Sequence, residues 1–160
     1  ITRLSNMSTR AIKFLQQKAA SFEIVKYKHD RKGAVFAAQS VGFPLERTVK
    51  TLVVMLGQKQ FVLALVPGDR QLNLKEMAKA CKVKRAEMAD TAVAERLTGY
   101  QVGGISPFGT RTTMPVYAQA SIFELDRICI NGGRRDMLVE LDPAELVRIL
   151  GASAVDAVQA

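Results

Sequence analysis

A single histidine, two cysteines and no long apolar run narrow what this chain of 160 residues can be. With His29 alone, a metal site of several histidines is excluded, and a Ser–His or Cys–His pair would have to recruit that one residue. It stands in Lys28-His29-Asp30-Arg31, a polar turn after a strand, where a solvated or turn-stabilising role is the simpler expectation. Cys81 and Cys129 are too few for a disulfide framework and lack metal-site spacing. Both fall on apolar faces and read as small buried hydrophobes, which points to the cytoplasm. Neither GxxxxGK[ST] nor a GxGxxG after a strand occurs, so these routes to cradling a nucleotide are unsupported. No stretch approaches the roughly 20 apolar residues of a membrane span. The first ten residues, ITRLSNMSTR, lack the charged-then-apolar pattern of a secretion signal, so export is not expected. Repeats, low-complexity tracts and linkers are also missing, so the expectation is one compact domain over residues 1–160. Ile1 to Asn6 form an extension if Met7 is the native start.

What the chain does have is an excess of positive charge: 23 Lys and Arg against 15 Asp and Glu, a net +8. Such a balance favours polyanionic partners, nucleic acid before anionic membrane. Membrane binding is disfavoured, because no amphipathic helix couples a basic face to large exposed apolar residues. Apolar residues make up 48%, enough for a core without staples at this length. The periodicity predicts a helix over Thr9–Ala20 capped by Ser8, with Ile12, Leu15 and Ala19 on one face. A half-buried strand follows at Phe22–Lys28, then a short helix over Ala34–Ser40. KTLVVMLG and FVLALVPG, joined by Gly57-Gln58-Lys59-Gln60, read as a central hairpin. Asn73 and Glu76 form a capping-box pattern ahead of a helix that buries Leu74, Met77, Ala78 and Cys81. That helix turns Lys75, Lys79 and Lys82 outward, a candidate phosphate-binding stripe or simply a solvated face. Asp90 is placed to cap a helix stopped by Gly99, and a strand lies around Pro115–Gln119. A second hairpin turns through Asn131-Gly132-Gly133, and Asp142-Pro143 starts a last helix that Gly151 ends. Strands and helices interleave without regular βαβ repetition, which makes the class α+β around a mixed, largely antiparallel sheet.

With so few catalytic side chains, an enzyme built on this sequence would work by positioning, backbone donors and a cation. Two features qualify. Lys50 stands at the entry to an apolar strand, where its amine either snorkels to solvent or sits at a cavity rim facing a phosphate or a carbonyl gaining negative charge. Gly103-Gly104-Ile105-Ser106-Pro107-Phe108-Gly109 is a stiff loop whose glycines let backbone N–H groups approach a ligand. The alternative is a structural turn with Phe108 plugging the core and Ser106 fixing the bend.

These residues also carry a resemblance. Val49-Lys50-Thr51-Leu52, Gln71-Leu72-Asn73-Leu74-Lys75, Glu87-Met88-Ala89-Asp90, the run Thr98–Pro107, Gly132-Gly133-Arg134-Arg135 and Glu140-Leu141 occur in the order of one family. From about Lys13 to Leu150 the sequence resembles the YbaK/ProX family of aminoacyl-tRNA deacylases, related to the editing domain of bacterial prolyl-tRNA synthetases. The resemblance implies a mixed sheet curled toward a barrel, with helices around it and a site in a cleft. It implies a trans-editing hydrolase, most like the branch that acts on Cys-tRNA(Pro), with no metal and no cofactor. The partners it implies are aminoacyl-tRNA and, as a second candidate, prolyl-tRNA synthetase. It further implies that Lys50 holds the tRNA 3′ end, that Tyr27, Phe36 and Thr51 line the aminoacyl pocket, and that Gly103 contacts the ester through its backbone. Gly104, Ile105, Ser106, Pro107 and Asn131 complete the implied substrate site. Lys75, Lys79, Lys82, Arg134 and Arg135 are the candidate tRNA phosphate contacts. The family's chemistry is substrate-assisted: the thiol of the mischarged cysteine attacks its own ester. Three positions depart from the family pattern: Asn131 replaces a common serine, and Leu138 and Gln119 each replace an aspartate. An alanine-specific deacylase of the ProX type and a non-catalytic tRNA- or synthetase-binding module are the alternatives.

Overall fold

Local sequence signals set most of the element boundaries. The structure is a computed structural model that describes residues 8–26 and 42–159. Tyr27, His29, Phe36 and the helix expected over Ala34–Ser40 lie outside the described residues. Helix α1 (Arg10–Gln17) starts at Thr9 and not at Ser8: Thr9 is extended, and its hydroxyl accepts from the Ile12 N–H at 3.1 Å. Ala11, Ile12 and Leu15 are buried, whereas Ala19 is exposed and turns at φ +54 just past the helix. Strand β1 (Phe22–Lys26) follows.

The expected hairpin is the centre of the sheet. β2 (Thr48–Leu56) and β3 (Gln60–Pro67) pair antiparallel from Val49↔Pro67 to Leu56↔Gln60, with Gly57 at φ +61 in the turn. Asn73 caps helix α2 (Leu74–Ala80) by accepting from the Glu76 N–H. A short β4 (Ala86–Met88), not foreseen from the sequence, leads into α3 (Thr91–Thr98). Asp90 occupies the cap position of α3 without a side-chain hydrogen bond, and Gly99 stops the helix at φ +81. β5 (Val116–Gln119), β6 (Ile128–Arg134) and β7 (Met137–Leu141) follow, then α4 (Ala144–Leu150) and an unforeseen β8 (Ser153–Val155). Asp142 accepts from the Ala144 N–H at 2.9 Å, and Gly151 ends α4 at φ +65.

The β6–β7 hairpin corrects the sequence reading. Its turn is Arg135-Asp136, and Asn131-Gly132-Gly133 lies inside β6, where the register slips between Asn131 and Arg134. The bulge forms because Gly133 adopts φ +103 and the Asn131 side chain supplies the hydrogen bonds that the ladder loses there.

The eight strands form one curled mixed sheet in the order β1-β7-β6-β2-β3-β5-β8, with β4 on β2 as a branch. Antiparallel pairs are β1–β7, β6–β7, β2–β3 and β2–β4; β2–β6, β3–β5 and β5–β8 are parallel. One face carries the main core, in which Val49, Val53, Leu63, Leu65, Ile130 and Val139 meet Ile12 and Leu15 of α1 and Leu146 of α4. Each such Leu or Ile contributes about 1.5–3 kcal/mol by leaving water. The opposite face is covered in two separate patches. Val54, Leu56, Val62 and Ala64 pack under Met77 of α2, and Cys129 and Leu138 pack with Val25 and Phe43.

Candidate active site

The two patches leave an interval along β2, and Lys50 falls in it. The β6 pairing ends at Val49↔Ile130, whereas the β4 side begins with the Ala89 N–H on the Val53 carbonyl and with Val54↔Met88. Among the described residues nothing pairs with that edge of β2 between these points. The Gly68 N–H on the Thr48 carbonyl commits the even-numbered residues of β2 to the β3 ladder. The backbone N–H and C=O of Thr51 are therefore aimed into the interval. The Thr51 hydroxyl, on the core side, is buried and has no hydrogen-bond partner among the described residues. Such a group costs about 1–3 kcal/mol.

Alternation along the strand puts Lys50 on the face opposite Thr51, on the side of the two patches. Its Nζ donates to the Arg70 carbonyl at 2.6 Å, using one of three donors. Burial pushes its pKa down from 10.5, with the nearby Asp69 carboxylate opposing part of that shift. The Arg70 segment is itself stitched to the C-terminal residues. Arg70 Nη2 donates to the Gln159 carbonyl at 2.7 Å, the Gln159 N–H to Gln71 and the Asn73 N–H to the Ala157 carbonyl. No local sequence signal announces this support, because it joins residues far apart in the chain.

Asn131 and Lys50 are the next residues along β6 and β2 after the last parallel pair, where the two strands part. The Asn131 side chain is committed internally: its amide donates to the carbonyls of Gly103 at 3.2 Å and Arg134 at 3.0 Å, and its oxygen accepts from the Gly133 N–H at 2.6 Å. It thereby ties the glycine loop to the strand beside Lys50. The far half of that loop is anchored in the core. Ser106, Pro107 and Phe108 are buried, the Ser106 hydroxyl accepts from the Phe108 N–H, and Tyr100 donates its hydroxyl hydrogen to the Phe108 carbonyl. Phe108 stacks on Phe14 with ring centroids 6.5 Å apart, and Ile105 packs against the same core. The near half is pressed against the β6–β7 turn. Gly103 has φ +96, and a Cβ there would lie 2.8 Å from Arg135 Nε; one on Gly104 would meet the Arg134 backbone at 3.1 Å. The Gly104 N–H donates to Gln101, whereas the Gly103 N–H bonds to none of the described residues.

The fold thus gathers Lys50, Thr51, Asn131 and Gly103 around one parting of strands. It turns the Ser106 hydroxyl inward. It places the two candidate phosphate-binding groups apart: Lys75 and Lys79 on α2 with Lys82 just past it, and Arg134 and Arg135 at the β6–β7 turn. Lys79 is paired with Glu76 at 3.6 Å and Arg134 with Asp136 at 2.7 Å. The departures from the family pattern have local explanations. Leu138 is 3% exposed in the apolar patch beside Asn131. Gln119 donates to the Asp156 carboxylate at 2.9 Å and accepts from the Ala157 N–H at 2.8 Å, a bridge that an aspartate could not make. Cys129, in the same patch as Leu138, has its thiol pushed up to about 12 by burial, so it is no nucleophile near neutrality. The described residues contain no cluster of metal-ligating side chains and no helix long and apolar enough to cross a membrane.

Comparison with known proteins bears on the same residues. EbsC of Enterococcus faecalis (strain ATCC 700802 / V583), named as a proposed Cys-tRNA(Pro)/Cys-tRNA(Cys) deacylase, is 30% identical over 147 residues, 91% of this chain and 90% of EbsC. The multifunctional Ser/Thr-tRNA deacylase ProXp-y of Escherichia coli (strain K12) is 33% identical over 145 residues, 88% of this chain and 86% of the relative. A crystal structure described as a proposed trans-editing enzyme for prolyl-tRNA synthetase superposes with a TM-score of 0.86 at 27% identity, covering 94% of this chain and 96% of the other. The family model for the aminoacyl-tRNA editing domain matches residues 29–149, which include Lys50, Thr51, the glycine loop and Asn131, and this chain belongs to that family.

Proposed function

We propose that this chain is a trans-editing hydrolase that removes the amino acid from mischarged tRNA, with Cys-tRNA(Pro) as its principal substrate. The observation that carries this reading is the parting of β2 from β6, where an ammonium, an open backbone edge and a fixed glycine loop converge. Among the described residues the Lys50 ammonium uses one donor, which leaves two for the 3′-terminal nucleotide or for the carbonyl oxygen as it gains charge. Gly103 offers its backbone N–H to the ester. The reacting nucleophile is the substrate's own thiol. Its sulfur bonds to the ester carbon as the bond to the ribose oxygen breaks, and the thiol proton ends on that oxygen. Water then opens the cyclic thioester to cysteine.

The thiol requirement of this chemistry, more than pocket size, favours cysteine, since admitting or excluding one methylene is worth only about 1–3 kcal/mol. Tyr27 and Phe36 complete the aminoacyl pocket in this reading. The chain acts as one domain, in the cytoplasm where its free thiols persist, and prolyl-tRNA synthetase is a fitting partner because it makes the mischarged product.

A panel of preformed aminoacyl-tRNAs tests the proposal. Purified protein should release cysteine from Cys-tRNA(Pro) faster than alanine or serine from theirs. Preferred release of alanine would move the substrate to Ala-tRNA(Pro). Release from none of them would leave a binding module and overturn the enzymatic reading.

A further inference from the structure

Three guanidinium groups on the outer flank of the glycine loop leave their terminal nitrogens without a partner among the described residues. Arg10 Nε donates to the Gly109 carbonyl at 3.1 Å, and Arg135 Nε donates to the Val102 carbonyl at 3.3 Å. The two ends of the loop therefore each hold an arginine by its Nε. Neither guanidinium makes a hydrogen bond or ion pair to described residues through its terminal nitrogens. Arg111 lies close to Arg10. The point where a Cβ on Gly99 would lie is 3.6 Å from Arg10 Nε and 3.7 Å from Arg111 Nε, so the two cations crowd the same bare glycine. The Arg111 side chain makes no hydrogen bond to any described residue. All three arginines are exposed.

Beyond the two Nε bonds, nothing among the described residues rewards this arrangement. Arg10 opens α1, whose first turn has no acidic residue, and a cation at a helix N-terminus opposes the macrodipole. No carboxylate among the described residues pairs with Arg10, Arg111 or Arg135, whereas Arg127, Arg134 and Arg148 each have one. Adjacent like charges raise the energy of the isolated chain and favour an anion that bridges them. Guanidinium forks whose terminal N–H groups face solvent match phosphate oxygens.

We propose that Arg10, Arg111 and Arg135 form the RNA-backbone contact of this chain, a band along the outer flank of the glycine loop that leads the acceptor strand into the site. The assignment rests on the deacylase reading for its ligand, since the ester held at Gly103 brings its own phosphates past Val102 and Gly109. Of the phosphate contacts expected from sequence, only Arg135 belongs to the band. The α2 lysines face another part of the surface.

Binding of uncharged tRNA, followed by fluorescence anisotropy from 50 to 300 mM salt, tests the band without requiring turnover. Each lost phosphate contact lowers the slope of log K against log salt by about 0.7–0.9. The Arg10→Gln/Arg111→Gln/Arg135→Gln protein should lose about 2 to 3 from that slope and bind at least tenfold more weakly at low salt. Arg111→Gln alone breaks no hydrogen bond of the fold and should lose about 0.7–0.9 with an unchanged melting temperature. The triple Arg→Lys protein should keep most of the slope. Unchanged slopes in the triple Gln and Arg111→Gln proteins would overturn the band, as would transfer of the effect to Lys75→Gln/Lys79→Gln/Lys82→Gln. If wild type hydrolyses no aminoacyl-tRNA but the slopes fall as stated, the band stands and the deacylase reading fails. If hydrolysis is robust and the slopes do not move, the band alone fails.

Discussion

Replacing Gly103 with alanine puts two constraints on the loop into competition, and their sizes differ. The first is the backbone: φ +96 suits glycine, and holding an L-residue there costs of the order of 1–3 kcal/mol. The second is steric, because the new methyl would lie 2.8 Å from Arg135 Nε and 3.1 Å from its Cγ. That guanidinium is the end of an exposed, flexible side chain. It can swing away at the expense of its bond to Val102, worth about 0.5–1.5 kcal/mol. The backbone term should dominate. Gly103→Ala should therefore lower the melting temperature by about 2–12 °C, at about 2–4 °C per kcal/mol for a chain of this size. Thermal unfolding of Gly103→Ala, Arg135→Ala and the double variant closes a cycle, and its coupling energy should be no more than the Val102 bond, about 0.5–1.5 kcal/mol. Full recovery of stability in the double variant would refute the backbone argument. A Gly103→Ala protein as stable as wild type would refute both constraints.

Four further outcomes follow from the same contacts. Asn131→Asp keeps the shape but loses both donated bonds and turns a carboxylate toward two carbonyls, so it should destabilise by about 1–3 kcal/mol and lower kcat more than Asn131→Ser does; denaturant titration and steady-state deacylation measure the two effects. Gln119→Glu sets a carboxylate against Asp156 and should cost about 1–3 kcal/mol at pH 7, with recovery in the Gln119→Glu/Asp156→Asn protein. Removing residues 157–160 strips the bonds that hold the Arg70 segment, and should raise KM or lower kcat beyond what its change in melting temperature explains. Finally, burial depresses the Lys50 pKa, so below 10.5 there is a window in which the folded chain binds fewer protons at this site than the unfolded chain. Stability should rise with pH across that window, and Lys50→Met should remove the rise; the alkaline limb of deacylation should fall in the same window.

Elements whose signals are local were legible in the sequence. The β2–β3 hairpin, the Asn73 cap and the Gly99 and Gly151 stops all depend on residues within a few positions of one another. Local chemistry misled where two neighbouring residues could play one part, as with Ser8 and Thr9, or where Asn-Gly-Gly could be a turn or a bulge. The hairpin turned at Arg135-Asp136 because the Asn131 amide satisfied the bulge and left Gly132 and Gly133 in the strand. β4 and β8 were missed because each is three residues long and acquires its identity only by pairing with β2 or β5. At the site, Lys50 and the glycine loop stood out as residue types. The sequence could not reveal the Arg70 carbonyl under the Lys50 amine, the open edge at Thr51 or the arginines beside Gly99. Each of these is a product of topology.

The central claim is that an ammonium at the parting of β2 and β6 serves catalysis by position. Single-turnover hydrolysis of preformed Cys-tRNA(Pro) by wild type, Lys50→Ala and Lys50→Arg tests it most directly, with circular dichroism and melting temperature measured on each protein. Both variants should remain folded and lose at least a hundredfold in rate, because a longer, planar guanidinium cannot take the place of a compact ammonium held on the Arg70 carbonyl. A folded Lys50→Ala protein that hydrolyses Cys-tRNA(Pro) at the wild-type rate would contradict the account.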